Sequence, residues 1–371
     1  MTDTRLIQAS RLMDAFAAET GLTSTDPARR YLWTDAHAVC NWLALEHKTE
    51  DPRYLQLAQA LVAQVHDVLG HHRPDDARSG WISGLNESEG RLHPTSGGLR
   101  IGKPQLERPA SAPEDQHAEW QQDGQYFHYL TKWMHALYRL AQRTGDCDYS
   151  RWAVELAVAA YRGFRSQAGP PRLYWKMSID LSYPLVASSG HHDPLDGLIT
   201  CLVLSRVQEG PALTDTIAGL RELCQGRSWA TDDPLGIGGL LFDSGRLAQL
   251  HQNQSGTDSG VLSELLVDVV RGLSFYVKTS ALQQPASNRL AFRELGLAIG
   301  LQAFDIIAAS SSAPEVRDEL EELRPYLPLR PLIEAFWLAP ENQRAATWIE
   351  HQDINAVMLA TSLTAPGFLS I

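Results

Sequence analysis

The feature that most restricts the fold is an alternation between two kinds of helix. Windows at 34–46, 125–143, 193–207, 236–252, 289–309 and 350–363 are apolar around nearly their whole circumference, and each opens with a polar or aromatic cluster. Windows at 5–19, 52–69, 148–164, 211–225, 259–277 and 314–324 are amphipathic, with apolar residues three and four apart. A helix apolar on all sides is buried, whereas one with a single stripe lies outside. No window alternates strictly over six positions, so strands contribute little. The strict outer–inner order through 371 residues predicts an all-α (α/α)6 toroid, one domain over 1–371. In such a ring the leading ends of the inner helices meet at one mouth. Short turns such as 48–51 and 144–147 join inner to outer helices, and the long connections 71–124 and 165–192 fall on the mouth side. An open solenoid is the alternative, but it would show a fixed period and a self-similar motif, and neither is present.

The stretch from Trp81 to Tyr129, most of the longest connection and the start of the helix after it, has no sustained apolar period. Long irregular segments in compact domains are usually binding loops, lids or disordered tracts. Trp81, Trp120, Tyr126 and Tyr129 favour order, because disordered tracts are poor in aromatic residues. Arg91, Arg100, Lys103 and Arg108 cluster here in a chain of formal charge −12. Beside Ser96-Gly97-Gly98, whose backbone N–H groups could be presented together, they suggest a place for a carboxylate, phosphate or sulfate. The segment 323–342 reads as a Pro-rich connection.

The acidic balance argues against a nucleic-acid partner, which needs a basic face. No apolar run of 18 residues is present, and the N-terminal segment lacks the apolar centre of a signal peptide. Cys40, Cys147, Cys201 and Cys224 have no CxxC spacing and read as reduced core thiols, so a cytoplasmic protein is expected, with no membrane partner and with room for a homodimer. There is no GxSxG elbow and no P-loop, and the glycines of 233–245 lack a strand–turn–helix context; they read as room for close backbone approach at the mouth.

Polar and aromatic residues at the inner-helix starts are the candidates for chemistry. Asp123 precedes Gln125, Tyr126, His128 and Tyr129, and an Asp there could equally be an N-cap. Asp193 and Asp196 follow His191 and His192; one of the two acids fits a helix cap, and the group lacks metal-ligand spacing, so no metal or other cofactor is expected. Asp35 stands in a first turn beside Trp33 and His37, where the helix dipole favours an acid. His351 and Asp353 open the last inner helix. Arg293 and Glu294 open the fifth and could simply pair with neighbours.

The clusters YLWTDAHAVCNW at 31–42, DGQYFHYLTKWMHAL at 123–137 and HHDPLDGLIT at 191–200 resemble the six-hairpin glycosidase-like superfamily, which includes unsaturated glucuronyl hydrolases and N-acylglucosamine 2-epimerase-like isomerases. The resemblance implies a carbohydrate-active enzyme and, for Asp123, the general acid/base role that an Asp holds in the glucuronyl hydrolases. The fold alone does not fix the reaction. The first expectation is a glycoside hydrolase acting on a small or oligomeric sugar, neutral or anionic, with Asp123 and Asp196 as the carboxylate pair and Asp193 as substitute. Trp33, Trp81, Tyr126, Trp133 and Trp175 would stack on sugar, and Arg100, Lys103, His128 and Lys176 would bind its polar groups. The second is an isomerase or epimerase in which His192 and His351 move a proton beside a carbonyl. The third is a helical binding module without catalysis.

Overall fold

The computed structural model describes residues 4–371 apart from 168, 209, 253–258, 280 and 281. In chain order its helices are α1 (Thr4–Glu19), α2 (Leu32–Thr49), α3 (Pro52–Leu69), α4 (Glu87–Leu92), α5 (Gln116–Glu119), α6 (Phe127–Thr144), α7 (Cys147–Phe164), α8 (Asp193–Leu204) and α9 (Pro211–Cys224). They continue with α10 (Pro234–His251), α11 (Ser259–Thr279), α12 (Ala291–Gly300), α13 (Ala303–Ser310), α14 (Pro314–Leu323), α15 (Leu329–Leu338), α16 (Ala346–Ile349), α17 (Gln352–Leu363) and α18 (Pro366–Leu369). Three short strands, β1 (Gln125–Tyr126), β2 (Lys176–Met177) and β3 (Pro184–Val186), pair antiparallel in the order β1-β2-β3. Strands of two or three residues are too short to leave a period-two signal in the sequence.

The residues cluster into two compact units, one of Ala17–Glu46 and Glu50–Gln225, the other of Met1–Phe16, His47–Thr49 and Gly226–Ile371. In the first, α6 packs on α7 and α8, and α8 packs on α9. Helix α3 buries Tyr54, Ala58, Leu61, Val62, Val65 and Leu69, and α7 buries Ala153, Leu156, Ala157, Ala160 and Phe164. Both are single stripes at helical spacing. Helices α2 and α6 are instead buried along most of their length, polar positions included. Caps account for the boundaries: Asp51 accepts from the Arg53 N–H ahead of Pro52, and Asp146 accepts from the Asp148 N–H at the head of α7.

In the second unit α10, α12 and α17 are the buried helices, and α12 packs on α10, α15 and α17. Gly238 of α10 faces Gly296 and Gly300 of α12; a Cβ on Gly238 would sit 2.1 Å from the Gly296 carbonyl oxygen. The glycine-rich segment does serve close backbone approach, but between two packed helices. Helix α15 lies inside the segment read as a Pro-rich connection. Pro331 falls within its first turn, where a missing N–H costs nothing, and Leu329, Ile333 and Trp337 form its buried stripe. The four cysteines are free; Cys40 and Cys201 are buried as expected, but Cys147 is exposed at the head of α7.

The 71–124 connection is ordered by its own backbone. Leu32 N–H donates to the Ile101 carbonyl, Ile101 N–H to Gly124, and Arg100 N–H to Leu69, while Leu99 and Ile101 are fully buried. Gly98 has φ +80°, and a Cβ there would strike the Gln125 side chain. That buried amide accepts from the Leu99 N–H and donates to the carbonyls of Gly97 and Ile179.

Candidate active site

In the first unit the leading ends of α2, α6 and α8 come together. Trp33 is in the first turn of α2; Tyr126 caps α6 and His128 and Tyr129 follow; Asp193 and Asp196 begin α8. Ring centroids of Trp33 and Tyr129 are 5.3 Å apart, Tyr126 and Tyr129 5.1 Å, and Tyr126 and Trp175 5.3 Å. Trp120, more than half exposed, stands edge-on to Trp175 at 6.3 Å. These rings form an aromatic shelf, half-exposed at Trp33, Tyr129 and Trp175 and buried at Tyr126. His128 sits on it, its ring 4.9 Å from Tyr129 and 6.1 Å from Trp33. The Tyr31 and Tyr129 hydroxyls share a hydrogen bond of 2.5 Å. Burial pushes the Tyr31 phenol up to about 12, with Tyr129 lowering and Asp123 raising it, and pushes Tyr129 well above the usual tyrosine range.

The carboxylates around this shelf differ in how they are employed. Asp123 is completely buried. Its Oδ2 meets Arg100 at 2.5 Å and Arg73 at 3.6 Å, and its Oδ1 accepts from the N–H groups of Gly102, Lys103 and Gly124. It neither caps α6 nor faces the shelf with a free oxygen; it anchors the 71–124 connection. Asp35 accepts from the Tyr31 N–H at 2.9 Å and pairs with buried Arg30, a capping role. Asp196 is held by the Lys132 ammonium at 2.8 Å and by the Thr131 hydroxyl.

Asp193 stands apart. It is buried, its Oδ1 lies 3.6 Å from His128 Nδ1, and among the described residues its Oδ2 has no hydrogen-bond partner and His128 Nδ1 has none either. The N-cap of α8 is His192, whose side chain makes no cap bond, so neither acid caps the helix. His192 lies ring to ring with exposed His191 at 4.6 Å.

Several side chains expected to meet a ligand are spent inside the protein. Trp133 is fully buried in the α6 stripe with its indole N–H on His66 Nε2 at 3.2 Å, so it cannot stack on a sugar. Trp81 is buried against His71, its N–H on Glu87. Arg100 also donates to the carbonyls of His71 and Val68. Lys176 has no exposed surface and is bound by Glu119 and the Gln122 carbonyl. Arg108 ends on Glu119 and the carbonyls of Ala112 and Leu185, and the N–H groups of Ser96 and Gly98 already donate to the carbonyls of His93 and Thr95, so two of the three N–H groups expected to hold an anion are taken.

Trp33, Tyr126, His128, Trp175 and Lys103 do meet at the shelf. The sequence reading missed Tyr31 and Tyr129 as site residues, although both lie in the aromatic clusters that carried the resemblance, and it missed Lys132.

In the second unit the leading ends of α10, α12 and α17 also meet. Arg293 pairs with Asp233, the N-cap of α10, at 2.9 Å, and His351, the N-cap residue of α17, lies edge-on to Phe292 at 5.5 Å. Glu294 is taken by Arg289 and the Trp337 N–H, so the pairing with neighbours holds. Asp353 lies in the first turn of α17. Among the described residues one cluster of three potential metal ligands is close enough to share an ion: exposed Asp146 and Cys147 with half-buried Asp148, where Asp146 already caps α7.

No known family matches the sequence, and no curated protein does. Solved structures do match over nearly the whole chain. An α-mannanase of glycoside hydrolase family 76 from Bacteroides thetaiotaomicron superposes with a TM-score of 0.59 at 8% identity, covering 98% of this chain and 96% of its own. The α-1,6-mannanase of a Salegentibacter species gives 0.55 at 13% identity, covering 99% and 100%. A family 76 glycoside hydrolase from a bovine Bacteroides thetaiotaomicron strain gives 0.54 at 11% identity, covering 99% and 77%. The fold is the all-α (α/α)6 architecture, as the helix alternation predicts. At such identity the likeness shows the fold alone.

Proposed function

We propose that this chain is a carbohydrate-active enzyme and, more finely, a glycoside hydrolase whose acid and base work is divided between Asp193 and Asp196 at the head of α8. The observation that carries the reading is Asp193: a buried carboxylate with an unpartnered oxygen, beside a half-exposed imidazole at an aromatic shelf. A group free of fixed donors can take up and release a proton, and hydrogen bonds to a catalytic acid often form only when substrate arrives. Asp196 lies between an ammonium and a hydroxyl donor. That setting suits the acceptor of the pair, which would activate water or stabilise positive charge at the anomeric carbon. Trp33 and Trp175 offer faces for sugar rings. The fold shared with enzymes described as α-1,6-mannanases supports the carbohydrate reading and supplies a first compound to try, α-1,6-mannotriose.

The test is a screen of α-1,6-mannotriose and other neutral and acidic oligosaccharides, with products followed by mass. Hydrolysis adds one water to the substrate, and Asp193→Asn should slow it by about 10²–10⁴-fold. Unchanged turnover in that variant, at an unchanged unfolding midpoint, removes Asp193 from the chemistry.

One observation favours a second reading. A carboxylate beside an imidazole could also orient His128 to move a proton on carbon, as in an epimerase. That outcome gives an isomer of the same mass in ordinary water and, in deuterated water, a product carrying solvent deuterium on carbon.

A further inference from the structure

Of the basic side chains in the 71–124 connection, Arg73, Arg78, Arg91, Arg100 and Arg108 each reach a carboxylate. Lys103 does not. Its ammonium lies 5.2 Å from the centre of the Tyr31 ring, and among the described residues no carboxylate stands within ion-pair distance of it. Asp123, the acid whose charge acts on it, is already claimed by Arg100 and Arg73. The buried ammonium of Lys176 adds a second positive charge nearby. Half-buried, Lys103 is held below the ordinary lysine range by desolvation first and by Lys176 second.

A partly desolvated ammonium without a counter-ion is costly, and the usual remedy is a paired anion. The position says which molecule would bring it. Tyr31 bonds Tyr129 through its hydroxyl, and Tyr129 packs on Trp33 and His128, so Lys103 stands at the edge of the shelf described above. We propose that the site takes a sugar carrying an anionic substituent, a uronate or a sulfate ester, with Lys103 as its counter-charge. This rests on the carbohydrate reading and names its substrate class. A lysine acts as a compact point charge rather than a two-pronged fork, so it selects for charge more than for the geometry of the anion.

The test is calorimetric binding of the full-length chain to matched disaccharides in the gluco, galacto and manno series, each as neutral, uronic and 6-sulfated forms. In at least one series an anionic form should bind tenfold or more tightly than the neutral one. Lys103→Met should abolish that preference, weakening the anionic forms more than the neutral ones at an unfolding midpoint no lower than the parent's; Lys103→Arg should keep it. The preference should shrink as salt is raised. Which anionic form wins separates uronate from sulfate. A preference that survives in Lys103→Met, or neutral forms binding as well as anionic ones, overturns the proposal while the carbohydrate reading stands. Failure of every sugar to bind overturns both.

Discussion

Nδ1 of His128 lies 3.6 Å from Oδ1 of Asp193, too far for a hydrogen bond, and buried Oδ2 of the same carboxylate is left without a partner among the described residues. Buried polar atoms are normally paired, so this one is a cost to the fold. Asp193→Asn and Asp193→Leu should therefore be at least as stable as the parent in guanidinium denaturation, while turnover falls by the 10²–10⁴-fold given above. Marked destabilisation would mean that Asp193 is structural.

Asp123 predicts the opposite pattern. Removing it strands Arg100, itself buried, so Asp123→Ala should cost about 3–5 kcal/mol. Adding Arg100→Met to that variant should recover part of the loss. Equal stability of Asp123→Ala and the parent would refute the anchoring role.

Two tryptophans separate shelf from core. Trp133→Ala should lose about 3–5 kcal/mol, as for other buried aromatic truncations. Trp33→Ala, at a half-exposed position, should cost much less stability and instead raise KM for any sugar that is turned over. Paired denaturation curves and Michaelis constants decide it.

Acid sensitivity should come in part from two interior histidines. Burial lowers His37 to about 4, with the Trp33 carbonyl raising it and Lys132 lowering it further; burial lowers His66 to about 3. Both folded values lie below the unfolded one of about 6.5, so the unfolded chain binds the extra protons. Their contribution is intact above about pH 6.5 and drains as pH falls toward 4 and 3, at roughly 1.4 kcal/mol per pH unit each. Stability measured at pH 7.5, 6 and 5 should fall along this slope, and His66→Gln should flatten it. The same slope in His66→Gln would exclude that residue.

The helices were legible because burial imposes a period of 3.6 on side chains, and the stripes of α3 and α7 carry it openly. Helix α15 was hidden by Pro325, Pro328 and Pro331, which mark a break when read singly but suit the approach and first turn of a helix. Trp133 could have been placed correctly: Leu130, Met134, Leu137 and Ala141 share its buried face. Asp123 and Asp193 could not be told apart, since each is an Asp ahead of a helical stretch. What separates them is Arg100, 23 residues away in sequence, and, among the described residues, the lack of any such donor for Asp193. Pairings at that range leave no local trace.

Arg78 joins Asp76 and Glu107 of one connection to Asp180 of the other, and Glu107 also accepts from the Ile179 N–H. The two segments are thereby a single heritable part. Transplanting either one from another (α/α)6 protein would orphan a guanidinium or a carboxylate, so altered selectivity in engineered descendants must come from exchanging both together or from changing the shelf beneath them.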